Sequence, residues 1–151
     1  MKAEIKAGAL IEFATPSETR EAVRAGMVDV YRDVNYLRRS GLVTVDGAGA
    51  LAGEPVDFGP DVGFVWDVRR VSIFGLTVGQ SVQLHIGRID AAGFVGNILA
   101  ADGFRTFNRG SVILKGYDLL KFGGSALTAS AVLTVVVQAS EVPAESAWRL
   151  L

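Results

Sequence analysis

The chain contains the stretch Phe64-Val65-Trp66-Asp67-Val68-Arg69-Arg70-Val71-Ser72-Ile73, in which apolar side chains recur at alternate positions. Alternation of this kind is typical of a β-strand that buries one face. The apolar series that ends at Val68 continues at Val71 and Ile73, but one residue out of step. A β-bulge corrects such a slip, because two residues of the bulged strand then oppose one residue of its neighbour. We therefore predict a long strand with a bulge at Arg69-Arg70.

The same period of two continues through the chain from Gly41 onward. Short apolar or alternating segments are separated by turn signals such as Asp46-Gly47 and Gly123-Gly124. Further strands are predicted at residues 42–45, 82–86, 94–100, 112–115, 119–122 and 128–138. No alternation of strands with helices follows Gly41, which argues against a parallel α/β sheet. The expected fold class is therefore mainly β, with an antiparallel β-sandwich or jelly-roll-like domain preceded by an N-terminal α-helix.

The N-terminal helix is predicted over residues 16–39. Thr15-Pro16-Ser17-Glu18 has the form of a capping box with proline at the first helical position, and Ser40-Gly41 supplies a stop signal. Charge density falls and glycine content rises at the same point. We therefore expect an N-terminal arm and helix for anchoring or oligomerisation over residues 1–40, a β-sandwich domain over 41–142 and a C-terminal tail over 143–151.

The predicted helix carries a narrow apolar stripe, formed by Val23, Met27, Val30, Val34 and Leu37. The stripe has the spacing of a heptad repeat. A helix that lies on a sheet usually buries a wider face. The stripe either covers the chain's own β domain or docks against another chain, and we expect the second.

The C-terminal tail ends in apolar side chains, which would be expected to dock on the chain's own domain or on a neighbour. Together with the stripe, they complete the set of candidate protein-interface residues, which are Val23, Met27, Val30, Val34, Leu37, Trp148, Leu150 and Leu151.

The composition argues against several classes of function. The 151 residues include no Cys and one His, which excludes a disulfide scaffold, a thiolate nucleophile, cysteine-ligated zinc and a multi-histidine metal site. The formal net charge of −1 gives no overall attraction to nucleic acid or to an anionic membrane. No apolar run of signal-peptide or membrane-spanning length is found. We therefore expect a soluble protein without an export signal, and neither nucleic acid nor membrane as a partner.

Sequence motifs for catalysis or cofactor binding are not recognised in the chain. Its glycine-rich segments match neither the phosphate-binding loop nor the dinucleotide-binding fingerprint. Asp57, Asp61 and Asp67 do not have the spacing of an EF-hand loop. We expect His85 to be an exposed or hydrogen-bonded strand residue, and Arg69-Arg70 to form a salt bridge or a subunit contact. The protein is therefore expected not to be an enzyme and to have no catalytic residue, cofactor or metal.

Three segments resemble virion structural modules of tailed bacteriophages. They are the stretch quoted above with the preceding Gly63, the segment Ser81-Val82-Gln83-Leu84-His85-Ile86-Gly87, and the turn Leu114-Lys115-Gly116-Tyr117-Asp118-Leu119-Leu120. The bias toward Ala, Val, Gly and Arg is similar to that of proteins from phages with GC-rich actinobacterial hosts. The resemblance covers about residues 60–140.

This resemblance implies a non-enzymatic structural component of a virion, assembled in the host cytoplasm, such as a capsid decoration protein, a collar or head spike, a fibre or a minor tail protein. Its implied partners are other copies of itself and capsid, portal or tail subunits. The alternative is a module that binds a host receptor or a surface glycan. Trp66, Phe104, Phe107 and Tyr117 are candidates for stacking on a sugar, although we expect most of these rings in the core.

Overall fold

The computed structural model describes residues 36–53 and 58–145. These ranges contain nine β-strands, which pair in antiparallel fashion. The strands are β1 (Tyr36–Thr44), β2 (Leu51–Gly53), β3 (Phe64–Phe74), β4 (Ser81–Ile86), β5 (Phe94–Leu99), β6 (Phe104–Thr106), β7 (Ile113–Lys115), β8 (Leu120–Gly124) and β9 (Val132–Pro143). The prediction of a mainly β, antiparallel fold is confirmed.

The strands form two sheets. The larger, which we call sheet A, has the order β1-β9-β3-β6, and β7 pairs with β3 beside β6. The smaller, sheet B, has the order β2-β8-β4-β5. Strand β3 is the centre of sheet A, because it pairs with β9 along its whole length and with β7 and then β6 on its other side.

The predicted bulge in β3 is confirmed. Val68 pairs with Ala139 of β9 and Arg70 with Gln138, so Arg69 is the extra residue. The bulge returns the later apolar residues to the face that the earlier ones occupy. As a result one face of β3 buries Trp66, Val68, Val71 and Ile73.

A single hydrophobic core lies between the two sheets, with contributions from both. Trp66 is its largest fully buried side chain, and the indole Nε1–H donates a hydrogen bond to Glu141 Oε2 at 3.1 Å. Alternation predicts that Trp66, Val68, Leu84, Ile86, Leu133, Val135 and Val137 are largely buried. All are buried except Ile86, which is half-buried and packs against the same core.

The N-terminal boundary of the β domain differs from the prediction. Residues 36–39 begin strand β1, so the predicted helix over residues 16–39 is wrong at its C-terminal end. The ladder with β9 runs without interruption from Tyr36 to Thr44, and the expected boundary between residues 40 and 41 therefore cuts through a strand. Pairing with β9 satisfies the backbone hydrogen bonds of residues 36–39. This pairing outweighs the local sequence signals that predict a helix ending before Ser40-Gly41.

Leu37 is consequently misplaced in the predicted helical stripe. It lies in β1, opposite Ala139, and its half-buried side chain packs against the core of its own chain. The other candidate interface residues lie outside the described residues; they are Val23, Met27, Val30, Val34, Trp148, Leu150 and Leu151.

The turn after β1 is held by the carboxylate of Asp46, as its Asp-Gly sequence suggests. Asp46 Oδ1 accepts hydrogen bonds from the backbone N–H of Ala50 at 2.9 Å and of Ala48 at 2.8 Å. These two bonds lower the pKa of Asp46 below its ordinary value. Gly49 in the same turn has φ +81°, and an added Cβ would lie 2.6 Å from the carbonyl oxygen of Leu127.

Truncation of a central core residue should destabilise the fold. Leu133→Ala is expected to lower the free energy of unfolding by about 2–5 kcal/mol, because it leaves a cavity between the sheets. The adjacent Val132 faces the opposite way and is exposed, so Val132→Ala should change stability by no more than about 0.5 kcal/mol. Chemical denaturation measures both, and equal effects of the two substitutions would contradict the assigned faces.

Acid should weaken the turn at Asp46. Because the pKa of this carboxyl is lower in the folded than in the unfolded state, its stabilisation is present above about pH 4 and is lost as the pH falls through the folded-state pKa. Asp46→Asn keeps an oxygen acceptor but removes the charge. The melting temperature of the wild type should therefore fall more steeply than that of the variant between about pH 6 and about pH 3. Parallel thermal melts over this range would contradict the assignment.

Candidate functional site

One end of the outer face of sheet A carries exposed apolar side chains. Leu42 of β1 and Phe74 of β3 both pair with Thr134 of β9, so their side chains flank it on the face opposite the core. Val132 lies two residues from Thr134 on the same strand and shares that face. Leu42, Phe74 and Val132 are 64%, 57% and 55% exposed. Exposure on this scale, for three neighbouring large apolar residues, is typical of an interaction surface.

An aromatic ring with an arginine above it extends this surface. Phe104 of β6 pairs with Ser72, which lies two residues before Phe74 on the same face of β3. The guanidinium carbon of Arg70 lies 4.0 Å from the centroid of the Phe104 ring, within the range of a cation–π contact. We call Leu42, Phe74, Phe104 and Val132 together the apolar patch.

The other end of the same face is buried and carries both apolar and polar side chains, the apolar ones including Val65 of β3 and its partner Val142 of β9. Asp67 of β3 pairs with Ser140 of β9, and both side chains are buried. Asp67 Oδ1 accepts a hydrogen bond from the backbone N–H of Gly110 at 2.9 Å, which ties the loop before β7 to β3. Asp67 therefore has a structural contact.

The other two aspartates considered for a metal site do not lie beside it in a strand. Asp61 lies in the loop before β3, and Asp57 lies outside the described residues. In the part of the chain that the structure describes, no three His, Cys, Asp or Glu side chains are grouped so as to hold a metal ion.

His85 is buried rather than exposed. Pairing with β8 keeps its register from Gln83 to Ile86, so His85 lies on the face of β4 opposite Leu84, and both side chains are buried. The loop after β4 contacts the ring, with the carbonyl oxygen of Asp90 3.1 Å from Nδ1, and the Phe94 ring meets it edge-on at 5.7 Å. The prediction of a hydrogen-bonded strand residue is confirmed.

The loop that contacts His85 is held by the side chain of Asp90. Its carboxylate accepts hydrogen bonds from the backbone N–H groups of Gly93 and Ala92 and from Nε of Arg88. The bond from Gly93, together with the charge of Arg88, lowers the pKa of Asp90. The loop therefore has internal polar contacts that keep it over the histidine.

The predicted salt bridge at Arg69-Arg70 is not observed with another described residue. Within residues 36–53 and 58–145, ion pairs join Arg39 to Asp61 and Arg88 to Asp90. Arg70 contacts the ring of Phe104 instead. This cation–π contact places Arg70 beside the apolar patch. A contact of Arg69-Arg70 with another subunit stays a prediction.

A cleft of about 550 Å³ lies near the other end of β3. It is formed by strand β1, the loop before β3 and the turn between β7 and β8, and its lining includes Arg39, Asp61, Tyr117 and Asp118. The Tyr117 side chain is 90% exposed. A guanidinium nitrogen of Arg39 lies 3.9 Å from Asp61 Oδ2, and its guanidinium carbon lies 5.9 Å from the centroid of Trp66.

Backbone contacts shape the floor of this cleft. Gly59 approaches Asp118 so closely that an added Cβ would lie 2.6 Å from the Asp118 carbonyl oxygen. The turn that carries Tyr117 is closed by two hydrogen bonds between Lys115 and Asp118, one backbone to backbone at 2.8 Å and one from the Lys115 N–H to Asp118 Oδ2 at 3.1 Å. Tyr117 is thus presented from a turn with defined geometry.

The four aromatic residues considered for sugar binding have different surroundings. Trp66 is fully buried and Phe107 packs against the core, so two of the four rings lie there, fewer than the majority we expected. Phe104 lies on the apolar patch beneath Arg70. Tyr117 is the member of the four that lines the cleft.

Sequence reasoning did not single out the apolar patch or the partners of Tyr117 in the cleft. The sequence does contain one indication of the patch, which is that apolar residues such as Leu42 and Val43 are adjacent in a predicted strand. Neighbouring residues of a strand point to opposite faces, so one of the two must point away from the core. The pairing of Arg39 with Asp61 has no sequence signal, because it depends on how β1 and the loop before β3 meet in space.

The described part of the chain contains no helix that is long and apolar enough to cross a membrane. Comparison of the sequence with protein-family models found none that matches, and comparison with curated proteins also found no match.

Proposed function

We propose that the protein is a non-enzymatic structural component of a tailed-bacteriophage virion. In this proposal a β-sandwich module assembles with other copies of itself and with capsid, portal or tail subunits. The observation that carries the assembly function is the apolar patch. Large apolar side chains that lie together on the flat face of a sheet lose unfavourable contact with water when a partner covers them.

The composition of the patch favours a protein partner. Phe74 and Phe104 supply aromatic rings, and Arg70 lies over one of them. Aromatic and arginine side chains are the types that contribute most to binding at protein interfaces. Thr134, which is half-buried, lies between Leu42 and Phe74 and adds a hydroxyl group at the same surface.

The edge of sheet A favours association through the face rather than through strand addition. Among the described strands, β1 lies at one edge of sheet A. Its central side chains Arg38, Arg39 and Ser40 are exposed. Charged side chains on an edge strand discourage uncontrolled pairing with another chain. A partner is therefore better accommodated by the apolar patch than by the edge.

The position of the histidine supports a function other than catalysis. His85 is the one histidine of the chain, and its ring lies beneath the loop that Asp90 holds. A general base must reach the proton that it abstracts, directly or through one water. Its burial and its contact with the Asp90 carbonyl oxygen are those of a structural residue.

The N-terminal stripe is the second element of the proposal. Val23, Met27, Val30 and Val34 retain heptad spacing without Leu37, which belongs to β1. We assign these four residues to the contact that anchors the β domain to another chain. The stripe and the apolar patch would then serve assembly together.

The apolar patch can be tested with charged substitutions. Leu42→Lys combined with Phe74→Lys should abolish self-association and incorporation into particles, since the partner would have to bury two charges. Both side chains are exposed, so the melting temperature should change little. Sedimentation velocity reports self-association, and mass spectrometry of purified particles produced from the encoding genome reports incorporation.

The matched control is Val62→Lys, which alters an 82% exposed side chain in the loop before the opposite end of β3. It should associate like the wild type. Absence of the wild-type chain from purified particles would refute the virion assignment. Unchanged association of the doubly substituted protein would refute the role of the patch.

The N-terminal stripe can be tested separately. Val30→Asp combined with Val34→Asp should abolish oligomerisation or incorporation while the β domain keeps its melting temperature, because disruption of a docked stripe costs binding more than folding. The same two assays and a thermal melt measure the outcome. Full incorporation, or unfolding of the β domain, would show that the segment does not anchor the chain to a partner.

A further inference from the structure

We propose that the cleft lined by Tyr117, Arg39, Asp61 and Asp118 binds a neutral saccharide unit. This site is separate from the apolar patch, because it adjoins the Phe64 end of β3 whereas the patch lies at the Phe74 end. The inference rests on four features of the cleft, which are its size, its exposed ring, its balance of donors and acceptors, and its fixed backbone.

The size of the cleft suits a small ligand. A volume of about 550 Å³ lies within the range of small-molecule sites, about 300–1,000 Å³. The cleft is open on one side, so a terminal unit of a longer chain can enter it. A ligand that is displayed at the end of a glycan meets this requirement.

The exposed ring of Tyr117 supplies the apolar contact. Most tyrosines pack part of the ring against the protein, whereas this side chain is 90% exposed at the tip of the turn between β7 and β8. The face of an aromatic ring carries partial negative charge. The C–H groups on one face of a pyranose carry partial positive charge, and they can pack on such a ring. The neighbouring hydroxyl groups of the sugar keep their hydrogen bonds to water when they do so.

The polar groups of the cleft suit hydroxyl groups. Arg39 supplies N–H donors, and the carboxylates of Asp61 and Asp118 supply acceptors. A hydroxyl group both donates and accepts, so a pair of neighbouring hydroxyls can bond to a carboxylate and a guanidinium at once. The hydrogen bond from Lys115 to Asp118 uses one of about four acceptor positions of that carboxylate.

The charges of the cleft argue against an ionic ligand. Two carboxylates repel a phosphate, a sulfate or a sialic acid, while Arg39 disfavours an organic cation and lies 3.9 Å from one of the carboxylates. A neutral ligand rich in hydroxyls avoids both penalties. This balance selects neutral sugars over acidic ones.

The fixed backbone reduces the entropic cost of binding. Gly59 packs against the carbonyl of Asp118, and Leu120 donates its N–H to the carbonyl oxygen of Phe58 at 3.0 Å. The guanidinium carbon of Arg39 lies 5.9 Å from the centroid of the buried Trp66 ring, at the outer limit of a cation–π contact. Groups that are held in place before binding lose less freedom on binding.

The test is a printed array of neutral oligosaccharides, built from glucose, galactose, mannose and N-acetylglucosamine, with sialylated glycans on the same array. The full-length wild-type chain should be retained by neutral glycans and not by sialylated ones. Tyr117→Ala should weaken the binding of the best neutral glycan by about tenfold, the scale of one aromatic contact. Tyr117→Trp, which keeps an aromatic face, should retain binding.

Two controls separate this site from other effects. Val78→Ala alters a 95% exposed side chain in the turn after β3, at the end remote from the cleft, and should bind like the wild type. Leu42→Lys combined with Phe74→Lys should bind the best neutral oligosaccharide free in solution with the wild-type affinity per chain, even if it loses avidity on the array, so failure of the sugar site is distinguishable from failure of the assembly proposal. The inference is overturned if no neutral glycan is retained, if Tyr117→Ala binds unchanged, or if sialylated glycans are preferred.

Discussion

The pairing of β3 with β9, interrupted by one extra residue at Arg69, is the constraint on which sheet A depends. Without the bulge, the second half of β3 would present Arg70 and Ser72 to the core and turn Val71 and Ile73 outward. Burial of an unpaired guanidinium among apolar side chains carries a large penalty. The bulge avoids it, and both halves of the strand contribute to one core against sheet B.

The same register also determines what the outer face of sheet A presents. Once Val71 and Ile73 point inward, Ser72 and Phe74 must point outward, and pairing with β6 brings Phe104 beside them. Arg70, released from the core by the bulge, then lies over the Phe104 ring. The apolar patch is therefore a direct consequence of the correction that makes the core continuous.

The two candidate surfaces lie at opposite ends of β3. The apolar patch surrounds Phe74, while the cleft adjoins the loop before Phe64 and the turn after β7. An arrangement of this kind would allow one end of the module to contact a structural partner while the other end remains open to a small ligand. In the proposed virion setting, the first surface would serve assembly and the second would serve contact with sugars outside the particle.

The antiparallel β class, the bulge in β3, the turn at Asp46 and nearly all of the predicted core could be predicted from the sequence, because each depends on side-chain periodicity or on local hydrogen bonding. That residues 36–39 belong to β1 depends on tertiary contacts, since their hydrogen-bond partners lie in β9, about 100 residues later in the chain. Tertiary contacts also decided that His85 lies beneath a loop and that Arg39 and Asp61 share a cleft with Tyr117. Periodicity identifies the side chains that share a face of a strand, but what that face meets depends on contacts between segments far apart in sequence.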